Sequence, residues 1–99
     1  MSKSIPSTST SIKDYPVVLY AQKAYHLPEV DAIYYKVEGN TIFLWAQVQT
    51  DNRQTRDALY HIEADLETTF PDCLFDFYIF VSAGNDLLSE FVKVERWQI

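Results

Sequence analysis

The 99-residue chain has few of the residues from which covalent and glycine-based sites are built. Its single cysteine, Cys73, cannot form an internal disulfide, so we expect a protein stabilised by packing in a reducing, cytoplasmic compartment. Two glycines are too few for the loops that cradle phosphates or dinucleotides. The sequence also lacks GxSxG, HExxH and CxxC patterns, so we expect no cofactor and no metal site, and a non-enzymatic role is favoured while a hydrolase stays open as the alternative.

Positive charge is also scarce, with eight bases against fourteen acids and a net charge of −6. Because such a chain repels phosphate backbones, we expect no nucleic-acid partner. No basic cluster suggests binding to an anionic lipid surface, and no apolar run approaches the roughly 18 residues of a membrane span. The start of the chain has no apolar centre like that of a secretory signal. We therefore expect no membrane association.

The length predicts one domain. Residues 2–11 include five Ser and two Thr, so residues 1–13 are predicted to be a flexible tail and residues 14–99 a single α+β domain. Asp14 is the predicted N-cap of a first helix that ends before Pro28.

Residues 30–37 and 41–50 are predicted to form a hairpin around the turn Gly39-Asn40. A two-residue turn pairs Tyr34 with Trp45 and Lys36 with Phe43. Side-chain alternation then gives the hairpin one aliphatic face and one aromatic face.

A second helix begins after Asp51 or Asn52 and ends before Pro71, because its apolar residues recur at three- and four-residue spacing. A third strand over 74–82, a break at 84–86 with a helical turn capped by Asp86, and a fourth strand over 92–97 complete the order α-β-β-α-β-β. We expect a two-layer α+β sandwich with two main helices and an antiparallel or mixed sheet of three or four strands.

The second face of this sheet is the feature most suggestive of function, since aromatic residues on it need a cover. We call it the aromatic face; its residues are Tyr34, Lys36, Phe43, Trp45, Gln47, Asp76, Tyr78 and Phe80. Three covers are open: the chain's own first helix or C-terminal segment, a second copy of the chain or another protein, or a small molecule.

The leading hypothesis is a non-enzymatic module that forms a homodimer, or docks on an unidentified protein, through the aromatic face. The alternative is a small-molecule-binding protein or small hydrolase with a pocket around Asp76, whose carboxylate could act as a general base if it were buried. His61 and Asp65 lie one helical turn apart. They are too few for a metal site unless His26, Glu29 or Asp31 adds a ligand.

Overall fold

The structure is a computed structural model that describes the backbone of residues 5–81 and 88–98 and the side chains of residues 15–81 and 88–97. Two helices and four strands confirm the α+β class. The elements are α1 Ile5–Ala24, β1 Val30–Glu38, β2 Thr41–Val48, α2 Arg53–Thr69, β3 Leu74–Phe80 and β4 Val92–Val94, followed by a 3-10 turn, Arg96–Gln98.

The four strands form one mixed sheet in the order β3-β2-β1-β4. The hairpin strands β1 and β2 are antiparallel, β3 runs parallel to β2, and β4 runs antiparallel to β1. Strands β3 and β4 therefore lie at opposite edges, although they follow one another along the chain.

The hairpin has the predicted register. Tyr34 pairs with Trp45 and Lys36 with Phe43. Gly39 occupies the first turn position with φ +59°, a value that the mirror-image hairpin turns require there and that side chains disfavour. One register shift near Asp31 inserts an extra residue at the start of β1.

The main core lies between the helices and the aliphatic face of the sheet. Tyr20, Ala21 and Ala24 of α1 are fully buried, as are Leu59 and Leu66 of α2. The sheet contributes further buried side chains, namely Val30, Ile33, Ile42, Leu44, Ala46, Val48, Ile79 and Val94. The 3.6-residue period of α2 and the two-residue period of the strands thus bring two apolar surfaces into contact.

Helix α2 begins as its sequence predicts. The Asn52 side chain accepts a hydrogen bond from the backbone N–H of Thr55 at 2.8 Å, which makes Asn52 the N-cap. The helix ends at Thr69, two residues before Pro71.

The start of α1 differs from the prediction. The helix begins at Ile5, so Asp14 lies within it and is not its N-cap. Pro16 lies inside the helix with its ring fully buried. Proline is disfavoured in a helix interior because it has no N–H to donate. The buried contact of its ring is a tertiary effect that local sequence does not reveal.

The last strand is shorter than predicted, because β4 ends at Val94 and residues 96–98 turn instead of extending. The predicted break at 84–86 and the cap Asp86 lie outside the described residues. Neither described helix combines the length and the apolar character that crossing a bilayer requires.

Candidate functional site

All eight residues predicted for the aromatic face lie on one side of the sheet. The β2–β3 register pairs Phe43 with Asp76, Trp45 with Tyr78 and Gln47 with Phe80. The β1–β2 register adds Tyr34 and Lys36 beside them. Because side chains alternate between the two sides of a strand, the registers of three adjacent strands place these eight residues on one side of the sheet.

Phe91, which precedes β4, covers the centre of this face. Its ring centroid lies 4.5 Å from that of Trp45 and 6.3 Å from that of Phe43. The Lys36 ammonium lies 4.9 Å from the Phe43 centroid and 5.1 Å from the Phe91 centroid. Part of the face is thus covered by the chain's own C-terminal segment, one of the three covers considered from the sequence.

Lys36 also joins this covered part to charged residues at its border. Its ammonium forms ion pairs with Glu38 at 3.2 Å and with Glu90 at 3.5 Å. These contacts raise the pKa of Lys36, chiefly through the hydrogen bond with Glu38. The pair with Glu90 connects β1 to the same segment that carries Phe91.

A second aromatic group lies beside Phe91. Trp45 packs against Tyr78 at a centroid distance of 4.8 Å and against Phe80 at 6.1 Å, and Phe80 is buried. Tyr34 lies 6.3 Å from Phe80. The indole N–H of Trp45 is buried and has no hydrogen-bond acceptor among the described residues.

The rest of the face, which Leu74 extends at the start of β3, is open along that strand. Leu74 is 60% exposed, Tyr78 is 49% exposed, and Asp76 between them is also exposed. We call these three residues the open strip. On this side of β3, the open strip remains in solvent, whereas Phe80 is buried.

Two cavities flank the same edge strand. One of about 280 Å³ is lined by residues including Arg56, Tyr78 and Phe80, and one of about 170 Å³ by residues including Arg56, Tyr60 and Tyr78. Tyr78 and Ile79 border both cavities, although their side chains point to opposite faces of the sheet. Both cavities therefore reach β3 at these two residues.

Arg56 borders both cavities and is held there by its neighbours, a role that sequence reasoning missed. Its guanidinium donates to Asp51 at 2.5 and 3.2 Å and to the Tyr60 hydroxyl at 3.1 Å. The pair lowers the pKa of the Asp51 carboxyl. The one available signal was the spacing, which places Asp51 before the helix and Arg56 in its first turns.

Glu63 lies deeper in the same region, at the wall of the smaller cavity. Burial raises the pKa of its carboxyl to about 7, the charge of Glu67 adds to this, and Arg56 opposes it. Burial also raises the pKa of Tyr20, with a further contribution from Glu63. The Tyr20 hydroxyl has no hydrogen-bond partner among the described residues.

The two histidines line a separate open groove of about 670 Å³ between α1 and α2. His26 Nδ1 lies 2.8 Å from the carbonyl oxygen of Gln22, and His61 lies on the opposite helix. The described residues include no group of three or more His, Cys, Asp or Glu that could hold a metal ion.

Comparisons of the chain with models of known protein families, with curated proteins and with solved structures gave no match. The functional argument therefore depends on the geometry of the chain itself.

Proposed function

We propose that the protein is a non-enzymatic self-association module whose contact surface is the open strip of the aromatic face. The observation that carries this proposal is the distribution of exposure across that face. Trp45, Phe43 and Phe80 are wholly or partly covered, whereas Leu74 and Tyr78 remain 60% and 49% exposed on the edge strand.

The proposal takes the fold as a two-layer sandwich in which the helices cover one side of the sheet. Phe91 covers the centre of the other side, and the open strip at its β3 edge is the part left for contact with a partner. Tyrosine suits a protein contact because its ring can be buried while its hydroxyl remains hydrated. Apolar burial contributes about 25 cal/mol per Å² before the cost of association is subtracted.

The remaining expectations about partners belong to this proposal. A second copy of the chain is the preferred partner, with an unidentified protein as the alternative, and nucleic acid is not expected because of the net charge of −6. A reducing, cytoplasmic compartment fits the free thiol of Cys73.

The competing small-molecule or hydrolase hypothesis required Asp76 in the wall of a covered aromatic pocket. Asp76 is exposed to solvent. An exposed carboxylate between Leu74 and Tyr78 is better suited to the border of a protein contact than to general-base catalysis.

Sedimentation velocity across a range from 1 to 200 μM tests the proposal. We expect a concentration-dependent dimer, and we expect Tyr78→Ser to weaken it by about tenfold if this residue is an energetic centre of the contact. Tyr15→Ser is the matched control, because Tyr15 is 57% exposed but lies on α1.

Three results would contradict the proposal. The first is a wild-type monomer at the highest concentration. The second is a dimer that Tyr78→Ser leaves unchanged. The third is equal weakening by the Tyr15 and Tyr78 variants.

A further inference from the structure

Backbone groups on the outer edge of β3 have no partner strand in the described part of the chain. Because the turn has two residues, Glu38 and Thr41 form the hydrogen-bonded pair that flanks it. From there, the backbone N–H and C=O groups of successive residues point alternately to one side of the strand and to the other. The same alternation continues into β3 through its parallel register with β2. The N–H and C=O groups of Phe75, Phe77 and Ile79 therefore point away from β2. No other strand among the described residues lies on that side.

This edge has the length that strand pairing needs. Strand β3 has seven residues, whereas β4 at the opposite edge has three. The two cavities bordered by Tyr78 and Ile79 lie beside this part of β3, with Arg56 in the wall of both. An extended backbone is the one occupant that supplies both donors and acceptors at this spacing.

The sequence of β3 is compatible with antiparallel pairing to a second copy of itself. A two-fold axis at Phe77 pairs all seven residues, and it sets Asp76 opposite the partner's Tyr78. An axis at Asp76 would instead oppose two carboxylates, which is destabilising. An axis at Tyr78 would leave both Leu74 and Phe75 unpaired within the strand.

We infer that two copies of the chain pair edge to edge through β3, with the axis at Phe77, to form one continuous eight-stranded sheet. The inference rests on the proposed self-association and specifies its geometry. The two open strips then become neighbours across the axis. On the helical side, the partner's Phe77 packs beside Phe77, near the cavity bordered by Tyr60 and Glu63.

A second copy fits this edge better than an unrelated peptide because the full-length register is self-complementary. Each Asp76 meets a tyrosine, and the other cross-strand pairs, Phe75 with the partner's Ile79 and Leu74 with the partner's Phe80, are apolar on both faces. An unrelated peptide would leave this complementarity unused.

The single cysteine provides a direct test in the full-length protein. Cys73 is free, half-buried and adjacent to the first residue of β3. A nitroxide attached to it gives one label per chain, so any dipolar coupling is between chains. With the axis at Phe77, eight residue steps separate the two Cys73 α-carbons along the strands, which corresponds to about 27 Å.

Pulsed electron-spin measurement at a concentration where the unlabelled protein dimerises should therefore give a distribution centred near this value, broadened by the label. An axis at Asp76 predicts about 20 Å and an axis at Tyr78 about 33 Å, and either result would overturn the assigned register. Dilution with unlabelled protein should reduce the coupling without moving the distance.

The experiment separates the failure of the inference from the failure of the proposed function. A dimer whose distance matches none of the three axes would overturn edge pairing and leave self-association standing. The absence of any dimer in sedimentation would overturn both. Sedimentation of the labelled protein shows whether the nitroxide itself prevents association.

Discussion

The two edge strands of the sheet differ in length and in how they are attached to the rest of the chain. Beyond the three residues of β4, the Arg96 guanidinium donates to the carbonyl oxygens of Tyr25 at 2.8 Å and Val30 at 2.7 Å. It also lies 4.4 Å from the centroid of the Tyr25 ring. The seven-residue edge of β3 has no such attachment among the described residues, although Arg56 lies near it.

Natural sheets usually protect an edge by shortening it, charging it or covering it. The β4 edge is short and is followed by Arg96, which attaches the chain to the junction of α1 and β1. The β3 edge is long, and Asp76 is its one charged residue. The difference indicates that β3 is the edge available to a partner.

The comparison requires that β3 be held by its inward side chains and not by the open strip. Ile79 is 7% exposed and packs in the core. Ile79→Ala should lower the free energy of unfolding by about 2–4 kcal/mol through lost burial and the cavity left behind. Leu74→Ala, at an exposed position of the same strand, should change it by less than about 0.5 kcal/mol.

Urea unfolding of both variants, at a concentration where the chain is monomeric, measures the two changes in unfolding free energy. Equal losses at the two positions would mean that the open strip is part of the folding core.

Removing Arg96 should loosen the protected edge. Arg96→Ala deletes the two charged hydrogen bonds and the contact with the Tyr25 ring, so we expect a loss of about 1–3 kcal/mol in unfolding free energy. Arg53→Ala at the exposed start of α2 is the matched control and should be nearly neutral. If the two arginine variants have the same melting temperature, Arg96 does not hold the edge.

The pH dependence of stability should reveal Glu63 at the wall beside β3. Its pKa is raised from 4.5 to about 7 in the folded state, so the folded protein holds this proton more tightly than the unfolded chain does. The resulting stability is present below pH 4.5 and is lost as the pH rises through 7. Because the side chain is partly exposed to solvent, we expect about 1 kcal/mol and not the full linkage value.

Glu63→Gln isolates this contribution. The wild type should lose more stability than the variant between pH 5 and pH 8, measured by urea midpoints. Parallel curves for the two proteins would contradict the assignment of the raised pKa to this carboxyl.

The sequence alone predicts those parts of the fold that depend on neighbouring residues. A Gly39-Asn40 turn and two-residue alternation specify the register that pairs Tyr34 with Trp45, and the same alternation predicts the aromatic face. The apolar period and Asn52 likewise predict α2. These features depend on neighbours within a few residues, where backbone geometry leaves few alternatives.

The parts that sequence did not predict depend on distant contacts. Phe91 reaches Trp45 across 46 positions of the chain, and Arg96 reaches Tyr25 across 71. Pro16 lies inside α1, where its local preference predicts a helix start. The cover of the aromatic face, the ending of β4 and the edge position of β3 follow from such long-range packing.

Amide hydrogen exchange along β3 tests the central claim most directly. At low concentration, the amides of Asp76 and Tyr78, which face β2, should be protected, whereas those of Phe75, Phe77 and Ile79 should exchange quickly. At a concentration where the chain dimerises, all five should be protected. Fast exchange of Phe75, Phe77 and Ile79 in a demonstrated dimer would contradict edge-to-edge pairing.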